Sequence, residues 1–271
     1  MCRDNGEIPT ISRGHTRLQT IRYMPSDAEY LKLLLMGVEF DPSSSVTFPI
    51  KSLLRSRGAG GLHANIWCYL GVVKDRRNTL NPLESTLVDG ASPRRFAEFS
   101  TGRYCARRAL DRLGCEDSPI LSDQYGAPLW PSDYIGSISH CADFAVAVVG
   151  RSSMINYFGV DIEDAIDVDT KVIAMLSSSS ELENIALLSL ESPPDIFWNT
   201  VLFSAKESVF KAVFCATQCP AKPRDISVHI NADGIFYSAC NVGDIMPGPL
   251  LLEGRWLEWK RHILTLTWPK P

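Results

Sequence analysis

The segment from Ser92 to Gly114 carries the clearest helix start and stop signals in the chain, and these signals predict a long helix. Ser92 is a candidate N-cap, Pro93 suits the first helical position, and Gly114 follows the last turn. Its apolar residues follow helical spacing. The polar side is strongly basic through six arginines: Arg94, Arg95, Arg103, Arg107, Arg108 and Arg112. We therefore predict a basic helix over residues 92–113.

Two of these arginines, Arg95 and Arg103, lie two helical turns apart and within about 80° of each other around the helix axis. Both guanidinium groups could therefore contact a single anion. The alternative is a solvated basic face with no ligand. The sequence pattern alone leaves both interpretations open.

Composition limits the classes of partner. The chain has 271 residues, 45% of them hydrophobic, which is enough for one large or two small domains. Its 27 basic and 31 acidic residues give a net charge of −4, so no overall field attracts nucleic acid or anionic lipid. The eight cysteines lack CxxC spacing, the first residues lack an apolar signal core, and no apolar run is long enough to span a membrane. We expect a cytoplasmic protein without a membrane or nucleic-acid partner.

The sequence FGVDIE at 158–163 alternates with a period of two residues, which predicts a strand. Asp161 and Glu163 would project from one face of that strand, about 6.6 Å apart. Carboxylates on an otherwise apolar strand must be solvated, paired or bound to a cation, and hard oxygen ligands suit Mg²⁺. The pair therefore indicates either an edge strand with a wet face or a metal site.

The sequence SAKESVFK at 204–211 predicts a second helix that begins at Ser204. Ser204 and Glu207 fit the capping-box pattern S-x-x-E, and Glu207 with Lys211 has the i,i+4 spacing of a stabilising ion pair. The functional alternative makes Glu207 a third metal carboxylate or a base. Lys206 and Lys211 would then hold phosphate oxygens near the positive end of the helix.

Ser139 and His140 end a strand that we predict after the proline- and glycine-rich loop beginning at Gly126. The imidazole of His140 could donate a hydrogen bond to a phosphate or serve a structural role. Elsewhere, FAVAVVG at 144–150 predicts a buried strand, and DAEYLKLLLMG at 27–37 predicts a short helix. From residue 223 onward, alternating segments separated by NADG and by Arg261 predict two β-hairpins.

Four blocks in this order resemble the motif series of the Sfp-type 4′-phosphopantetheinyl transferases. They are GRYCARRAL (102–110), GAPLWP with GSISHC (126–141), FGVDIE (158–163) and FSAKESVFKA (203–212). The subgroup of the enterobactin synthase phosphopantetheinyl transferase is the most similar. The resemblance covers roughly residues 92–215, and GRW at 254–256 is similar to the last strands of the family. Residues 1–90 match poorly.

The resemblance implies an α+β fold made of two similar halves, residues 1–157 and 158–271, which are related by a pseudo-twofold and hold coenzyme A in the cleft between them. It also implies a monomer. The implied reaction moves 4′-phosphopantetheine from coenzyme A to a serine of an acyl or peptidyl carrier protein and releases 3′,5′-ADP. Mg²⁺ is the implied cofactor, and non-ribosomal peptide, polyketide or siderophore synthesis is the implied pathway class.

The resemblance also assigns site residues. Asp161, Glu163 and Glu207 match the Mg²⁺ ligands, and Glu207 and Lys211 match the catalytic residues. The residues expected to contact coenzyme A are Arg95, Arg103, Tyr125, Gly126, Pro128, Ser139, His140, Asp161, Lys206, Glu207 and Lys211.

The expected partner is a transiently bound carrier protein. Because such carriers are usually acidic and this chain is also net negative, docking would need a local basic or apolar patch. Two other functions fit the same carboxylates. One is a Mg²⁺-dependent phosphohydrolase or nucleotidyl transferase, and the other is a non-catalytic protein that binds coenzyme A or a carrier. Product analysis would separate them.

Overall fold

Two antiparallel β-sheets, each packed against one long helix, make up most of the part of the chain that the structure describes. The computed structural model describes residues 46–49, 66–116, 118–192, 196–245, 247–259 and 261–270. The helix predicted at 27–37 lies outside these residues. Among the described residues, no helix has the length and apolar character needed to cross a lipid bilayer. The mixed helix and sheet content confirms the predicted α+β class.

The first sheet has the strand order β1-β2-β6-β5. Its strands are β1 (Val46–Pro49), β2 (Ile66–Val72), β5 (Tyr134–His140) and β6 (Phe144–Arg151). A separate two-stranded ribbon consists of β3 (Leu121–Ser122) and β4 (Pro128–Leu129). The helices of this part are the single turn α1 (Pro82–Ser85) and the long α2 (Pro93–Arg112).

Helix α2 confirms the first prediction from the sequence. The Ser92 side chain caps it by accepting a hydrogen bond from the Arg95 N–H, at 3.2 Å from Oγ to N. Gly114 follows the helix with a φ of +73°, a left-handed conformation that favours glycine. The buried side of α2 packs on β2 and β6, where Cys105, Ala106 and Ala109 are fully buried.

The second sheet has the strand order β7-β11-β10-β9-β8. Its strands are β7 (Gly159–Asp164), β8 (Ile226–Ile230), β9 (Ile235–Cys240), β10 (Leu250–Trp259) and β11 (His262–Pro269). Its helices are α3 (Thr170–Leu176), α4 (Ser179–Glu191) and α5 (Trp198–Thr217). The predicted strand at 158–163 and both predicted hairpins, β8–β9 and β10–β11, are confirmed.

The predicted start of the second long helix is wrong. Helix α5 begins at Trp198, so Ser204 lies inside the helix and caps nothing. No side chain caps this start; instead Trp198 is 4% exposed and packs edge-on against Trp256, with ring centroids 5.2 Å apart. Apolar packing, which a local capping pattern does not reveal, therefore determines where α5 begins.

The two sheets meet where β5, an edge strand of the first, runs beside β7, an edge strand of the second. The Val160 N–H donates a hydrogen bond to Ser137 Oγ across this junction, at 3.0 Å. One apolar cluster contains side chains of both sheets, including Val146, Val148 and Ile162. Ser139 and His140 at the end of β5 are thereby brought beside the acidic strand β7.

Candidate active site

Asp161 lies at the centre of a hydrogen-bonded cluster between the two sheets. Its Oδ1 accepts hydrogen bonds from Ser139 Oγ and Lys211 Nζ, both at 2.7 Å, and its Oδ2 accepts one from Ser204 Oγ at 2.8 Å. The residue is 2% exposed. Strand β7 is an edge strand, as one alternative expected, but its acidic face is covered by α5 rather than wet.

Ser204 and Thr265 hold this carboxylate in place from behind. Their hydroxyl oxygens are 2.9 Å apart, and Thr265 lies directly opposite Asp161 in the β7–β11 ladder. Thr265 Oγ1 also donates to the backbone carbonyl of Ser204, at 2.9 Å. The serine that the sequence indicated as a cap therefore orients a buried carboxylate.

Lys211 links α5 to both sheets. Its ammonium group contacts Ser139 Oγ at 2.9 Å, the Val160 carbonyl at 3.2 Å and Asp161 Oδ1 at 2.7 Å. The expected i,i+4 partner of Lys211 was Glu207, but the lysine pairs with Asp161 instead. A phosphate oxygen entering the site would take the place of one of these three acceptors.

Glu163 and Glu207 are the two remaining carboxylates, and both are half-buried. Burial, together with the charges of Asp161 and Glu207, raises the pKa of Glu163 to about 8, although the Lys211 charge acts in the opposite direction. Burial is also the main cause of a raised pKa at Glu207. Among the described residues, neither carboxylate has a hydrogen bond or ion pair from a side chain. The structure thus places two carboxyl groups without side-chain donors near Asp161, and Lys211 is the cation that interacts with all three.

This donor set fits a divalent cation with oxygen ligands. The charges of Asp161, Glu163 and Glu207 affect one another, although their oxygens do not all lie within 4.8 Å of one another. Glu163 and Glu207 have no side-chain donor among the described residues, and Asp161 Oδ2 has a second lone pair beyond the Ser204 hydrogen bond. Mg²⁺ takes such hard oxygen ligands and usually retains water and substrate phosphate in its coordination shell.

His140 lies between a carboxylate and a guanidinium. Its Nε2 is 3.1 Å from Arg95 Nη1, and its Nδ1 is 3.8 Å from Glu98 Oε2. Because a guanidinium only donates, Nε2 is the acceptor and the neutral imidazole carries its proton on Nδ1, facing Glu98. Burial lowers the pKa of His140, and the charges of Arg95 and Lys211 lower it further, while Glu98 acts in the opposite direction.

The two arginines that the helix places on one side have different surroundings. Arg95 is exposed beside His140, whereas Arg103 is 5% exposed. Arg103 donates to the Ile120 carbonyl at 2.7 Å and to Ser122 Oγ at 2.9 Å, and it lies over the Phe99 ring. Burial lowers the pKa of Arg103 to about 10. Arg103 therefore anchors the ribbon strand β3 to α2, and its contact with coenzyme A stays a prediction.

Lys206 does not join the cluster around Asp161. It is 5% exposed, its Nζ is 2.8 Å from Glu181 Oε1, and it donates to the carbonyls of Ile226 at 2.7 Å and Pro223 at 3.2 Å. These contacts tie α5 to α4 and β8. A contact between Lys206 and coenzyme A would require exchanging at least one of them.

A cavity of about 390 Å³ opens beside Lys211. One wall is the loop that contains the predicted residues Tyr125, Gly126 and Pro128, and the other is the α5 surface with Phe210 and Phe214. Tyr125 is exposed and meets the Phe214 ring edge-on, with centroids 5.6 Å apart. The cavity has room for an aromatic base or a flexible arm of a ligand.

Sequence reasoning missed Glu98, which is 7% exposed and bonded to Arg94 at 2.8 Å from Nε to Oε1. The i,i+4 spacing of Arg94 and Glu98 was the available signal. It also missed the orienting roles of Ser204 and Thr265, which depend on contacts between residues about sixty positions apart.

Two family models match this chain in succession. The 4′-phosphopantetheinyl transferase N-terminal domain matches residues 83–150, and the 4′-phosphopantetheinyl transferase superfamily matches residues 157–261. The chain is 36% identical over 198 residues to 4′-phosphopantetheinyl transferase Svp of Streptomyces mobaraensis, covering 70% of this chain and 79% of that protein.

Similar relatives come from other bacteria. The chain is 34% identical over 192 residues to 4′-phosphopantetheinyl transferase PptT of Mycobacterium tuberculosis, covering 68% of this chain and 83% of that protein. It is 32% identical over 178 residues to enterobactin synthase component D of Salmonella typhi, covering 65% and 73%. The chain belongs to the 4′-phosphopantetheinyl transferase superfamily. This confirms the resemblance and the transferase class inferred from the four sequence blocks.

Proposed function

We propose that this transferase moves 4′-phosphopantetheine from coenzyme A to the serine hydroxyl of an acyl or peptidyl carrier protein and releases 3′,5′-ADP. The observation that carries the proposal is the ion pair of Lys211 with Asp161 between the two sheets, near enough to Glu163 and Glu207 for their charges to interact, in a chain of this superfamily. Because all the acidic and basic side chains expected for the reaction are present, a role restricted to binding coenzyme A or a carrier is disfavoured. Family membership favours transfer over phosphate hydrolysis.

The phosphates of coenzyme A would lie along the basic side of the junction. Arg95 supplies an exposed donor there and is held by its contact with His140, and Ser139 contacts Lys211 along the same edge. Arg103 would act mainly by holding the wall of the site. The loop from Tyr125 to Pro128 would border the nucleotide, because it lines the cavity beside Lys211.

Asp161, Glu163 and Glu207 would hold Mg²⁺. When bound, this ion would offset negative charge on the pyrophosphate and on the departing 3′,5′-ADP. Ser139, Ser204 and Lys211 fix the Asp161 carboxylate before any ligand arrives, so it needs little reorganisation on binding.

In the chemical step, the carrier serine oxygen forms a bond to the β-phosphorus, and the bond from that phosphorus to the bridging oxygen of 3′,5′-ADP breaks. Glu207 accepts the serine proton at a carboxylate oxygen, directly or through a water. Lys211 offsets charge on the oxygens of the transferring phosphoryl group. Positioning and electrostatics supply most of the rate enhancement.

The architecture supports the two-half arrangement expected for the family. The two sheets divide the chain between residues 151 and 159, each is packed against one helix of 20 residues, and the site lies where they meet. We therefore propose a boundary near residue 157, a pseudo-twofold relation between the halves, and a monomer that supplies both sides of its cleft. Seven cysteines in the described part of the chain are free, which supports function in a reducing cytoplasm.

The natural acceptor is proposed to be a carrier domain of secondary metabolism, such as siderophore, non-ribosomal peptide or polyketide synthesis. The support is the similarity to enterobactin synthase component D. Recognition of an acidic carrier by a net negative enzyme would rest on local apolar and basic contacts, so we expect weak, transient binding with little long-range steering.

The test is intact-mass spectrometry of a purified apo peptidyl carrier protein after incubation with the enzyme, coenzyme A and Mg²⁺. The expected result is the mass gain of one phosphopantetheine and release of 3′,5′-ADP, both abolished by EDTA. Glu163→Gln and Glu207→Gln should each reduce the rate by at least about a hundredfold. Glu183→Gln, an exposed acidic position on α4, is the matched control and should retain full activity.

Free phosphopantetheine released without any carrier modification would support the phosphohydrolase alternative instead. Glu207→Gln enzyme that retained near wild-type turnover at saturating Mg²⁺ would remove Glu207 from the proton-transfer step. Arg103→Ala enzyme with unchanged coenzyme A binding and unchanged KM would remove Arg103 from the binding site.

A further inference from the structure

A second cluster of metal-binding side chains lies at the ends of the strands that carry the candidate active site. Cys141 Sγ, an oxygen of Asp164 and a ring nitrogen of His262 all lie within 4.8 Å of one another. Asp143 Oδ2 is 3.6 Å from His262 Nε2 and adds a fourth side chain on the solvent side. Nothing in the proposed transfer reaction uses these four groups.

The strand pairing explains why they converge. Asp164 ends β7 and His262 begins β11, and the two residues face each other in the antiparallel ladder. Cys141 and Asp143 lie in the tight turn between β5 and β6, which is closed by a 2.9 Å hydrogen bond from the Cys141 N–H to the Phe144 carbonyl. One short turn from the first sheet therefore meets one strand pair from the second.

One buried oxygen of this cluster has no hydrogen-bond donor among the described residues. Cys141 is 7% exposed and His262 is 6% exposed. Asp164 Oδ1 is buried and accepts no hydrogen bond within the described part of the chain, although it lies only 3.4 Å from His262 Nε2. A buried carboxylate oxygen without a donor is costly, and a cation is one way to satisfy it.

Two of the distances, both measured from His262, are close to those of tetrahedral coordination. Zinc bonds to nitrogen and oxygen of about 2.0–2.1 Å place two such ligand atoms about 3.3–3.4 Å apart in a tetrahedron. The separations from His262 Nε2 to the Asp164 and Asp143 oxygens are 3.4 and 3.6 Å. Thiolate and imidazole ligands favour zinc-class ions, whereas Mg²⁺ prefers the all-oxygen set of the active site.

We propose that Cys141, Asp164 and His262, together with Asp143, form a binding site for a zinc-class divalent transition-metal ion. Metal binding would release the Cys141 thiol proton to solvent and join the sulfur, the imidazole and the carboxylates in one shell. The aromatic rings of Phe144 and Trp259 enclose the imidazole, with centroids 4.9 and 6.2 Å from that of His262.

The proposed ion would stabilise the active site from behind. Side chains alternate along a strand, so Glu163 and Asp164 face opposite sides of β7. His140 likewise directly precedes Cys141, and both His140 and Glu163 belong to the candidate site. An ion bound to Cys141 and Asp164 would thus hold the ends of β5 and β7 at a constant separation.

A role for Cys141 as a nucleophile fits the structure less well. Burial raises the pKa of its thiol to about 12, which disfavours the reactive thiolate at neutral pH. Direct coordination to a metal ion is the setting that deprotonates such a buried thiol.

The test is titration of the metal-stripped, reduced enzyme with Co²⁺ in the presence of excess Mg²⁺, which occupies the carboxylate site. The expected result is one equivalent of tightly bound cobalt that shows a thiolate-to-cobalt charge-transfer band, and zinc should displace it. The active-site carboxylates cannot produce this band, because it requires a sulfur ligand.

Cys141→Ser should abolish the band, whereas Cys68→Ser should retain it. Cys68 is the matched control because it is 2% exposed, lies in the same apolar cluster as Cys141, and belongs to no metal-ligand group among the described residues. Asp143→Asn changes an exposed side chain and should weaken cobalt binding at least tenfold without affecting folding.

Absence of the band in the wild-type enzyme, or its persistence in Cys141→Ser, would overturn the proposal. If Cys141→Ser does not fold, the cobalt affinities of His262→Gln and Asp143→Asn test the proposed site instead. An unchanged cobalt affinity in both variants would also overturn the proposal. This result is independent of carrier modification, so failure here leaves the proposed transferase function intact.

Discussion

The buried ion pair between Lys206 and Glu181 allows a test of whether Lys206 is a structural residue or a phosphate ligand. The two side chains are 5% and 3% exposed, and their charged atoms are 2.8 Å apart. Glu181 also accepts backbone hydrogen bonds from Ser178 at 2.7 Å and Val228 at 2.8 Å. Lys206→Met keeps most of the side-chain volume and removes only the charge and its hydrogen bonds.

The expected loss of stability follows from the charge left behind. Removing one partner of a buried pair typically costs about 3–5 kcal/mol, because the other charge stays buried without compensation. The two backbone donors to Glu181 remain, so we expect the lower end, about 3 kcal/mol. For a protein of this size, each kcal/mol lowers the Tm by about 2–4 °C, which predicts a decrease of roughly 6–12 °C.

Calorimetry and urea unfolding at neutral pH would measure this change, and coenzyme A binding would be measured well below the Tm. The double variant Lys206→Met with Glu181→Gln removes both charges but keeps an acceptor for the Val228 N–H, so it should recover much of the loss. A Lys206→Met enzyme with unchanged Tm and a strongly raised KM for coenzyme A would refute the structural role.

Three further predictions concern the site. Ser204→Ala removes a hydrogen bond to a carboxylate worth about 1.5–3 kcal/mol, so kcat at saturating Mg²⁺ should fall about 10–100-fold. The control is Ser208→Ala, which removes a hydroxyl that contacts Thr267 and should have little effect on kcat. Equal effects of the two substitutions on kcat would contradict the orienting role of Ser204. Glu98→Gln should raise the KM for coenzyme A several-fold with little change in kcat, because the variant weakens the contact that holds His140. Steady-state kinetics would measure both constants, and a fall in kcat with an unchanged KM would contradict this prediction. Gly159→Ala should destabilise the fold by about 3 kcal/mol or more in thermal unfolding, since a Cβ there would lie 1.9 Å from a backbone oxygen of α5; an unchanged Tm would contradict this close approach.

Local signals in the sequence were sufficient for much of the fold. The N-cap at Ser92 and the left-handed Gly114 mark the two ends of α2. The period-two alternation of residues 158–163 corresponds to β7. In these elements the residues that determine the structure lie within a few positions of one another. The family fold and reaction came from the resemblance of ordered motifs, which these local signals do not encode.

The capping pattern did not predict the correct start of α5. The S-x-x-E spacing of Ser204 and Glu207 is identical to that of Ser178 and Glu181, yet only the second pair forms a capping box. The difference is that the α5 helix already extends back to Trp198, where burial of an aromatic ring compensates for the absent cap. Tertiary packing therefore overrides the capping signal at the first site and agrees with it at the second.

The arrangement of the candidate active site depends on contacts between residues far apart in the sequence, which no local pattern reveals. Asp161 bonds to Ser139, Ser204 and Lys211, which are 22, 43 and 50 positions away in the sequence. The strand pattern placed Gly159, Asp161 and Glu163 on one face. Because a Cβ at the first of these would collide with the α5 backbone, the glycine permits the helix to lie close enough for its polar side chains to reach the carboxylate. One glycine thus converts an acidic edge strand, which would otherwise be wet, into one wall of a buried site.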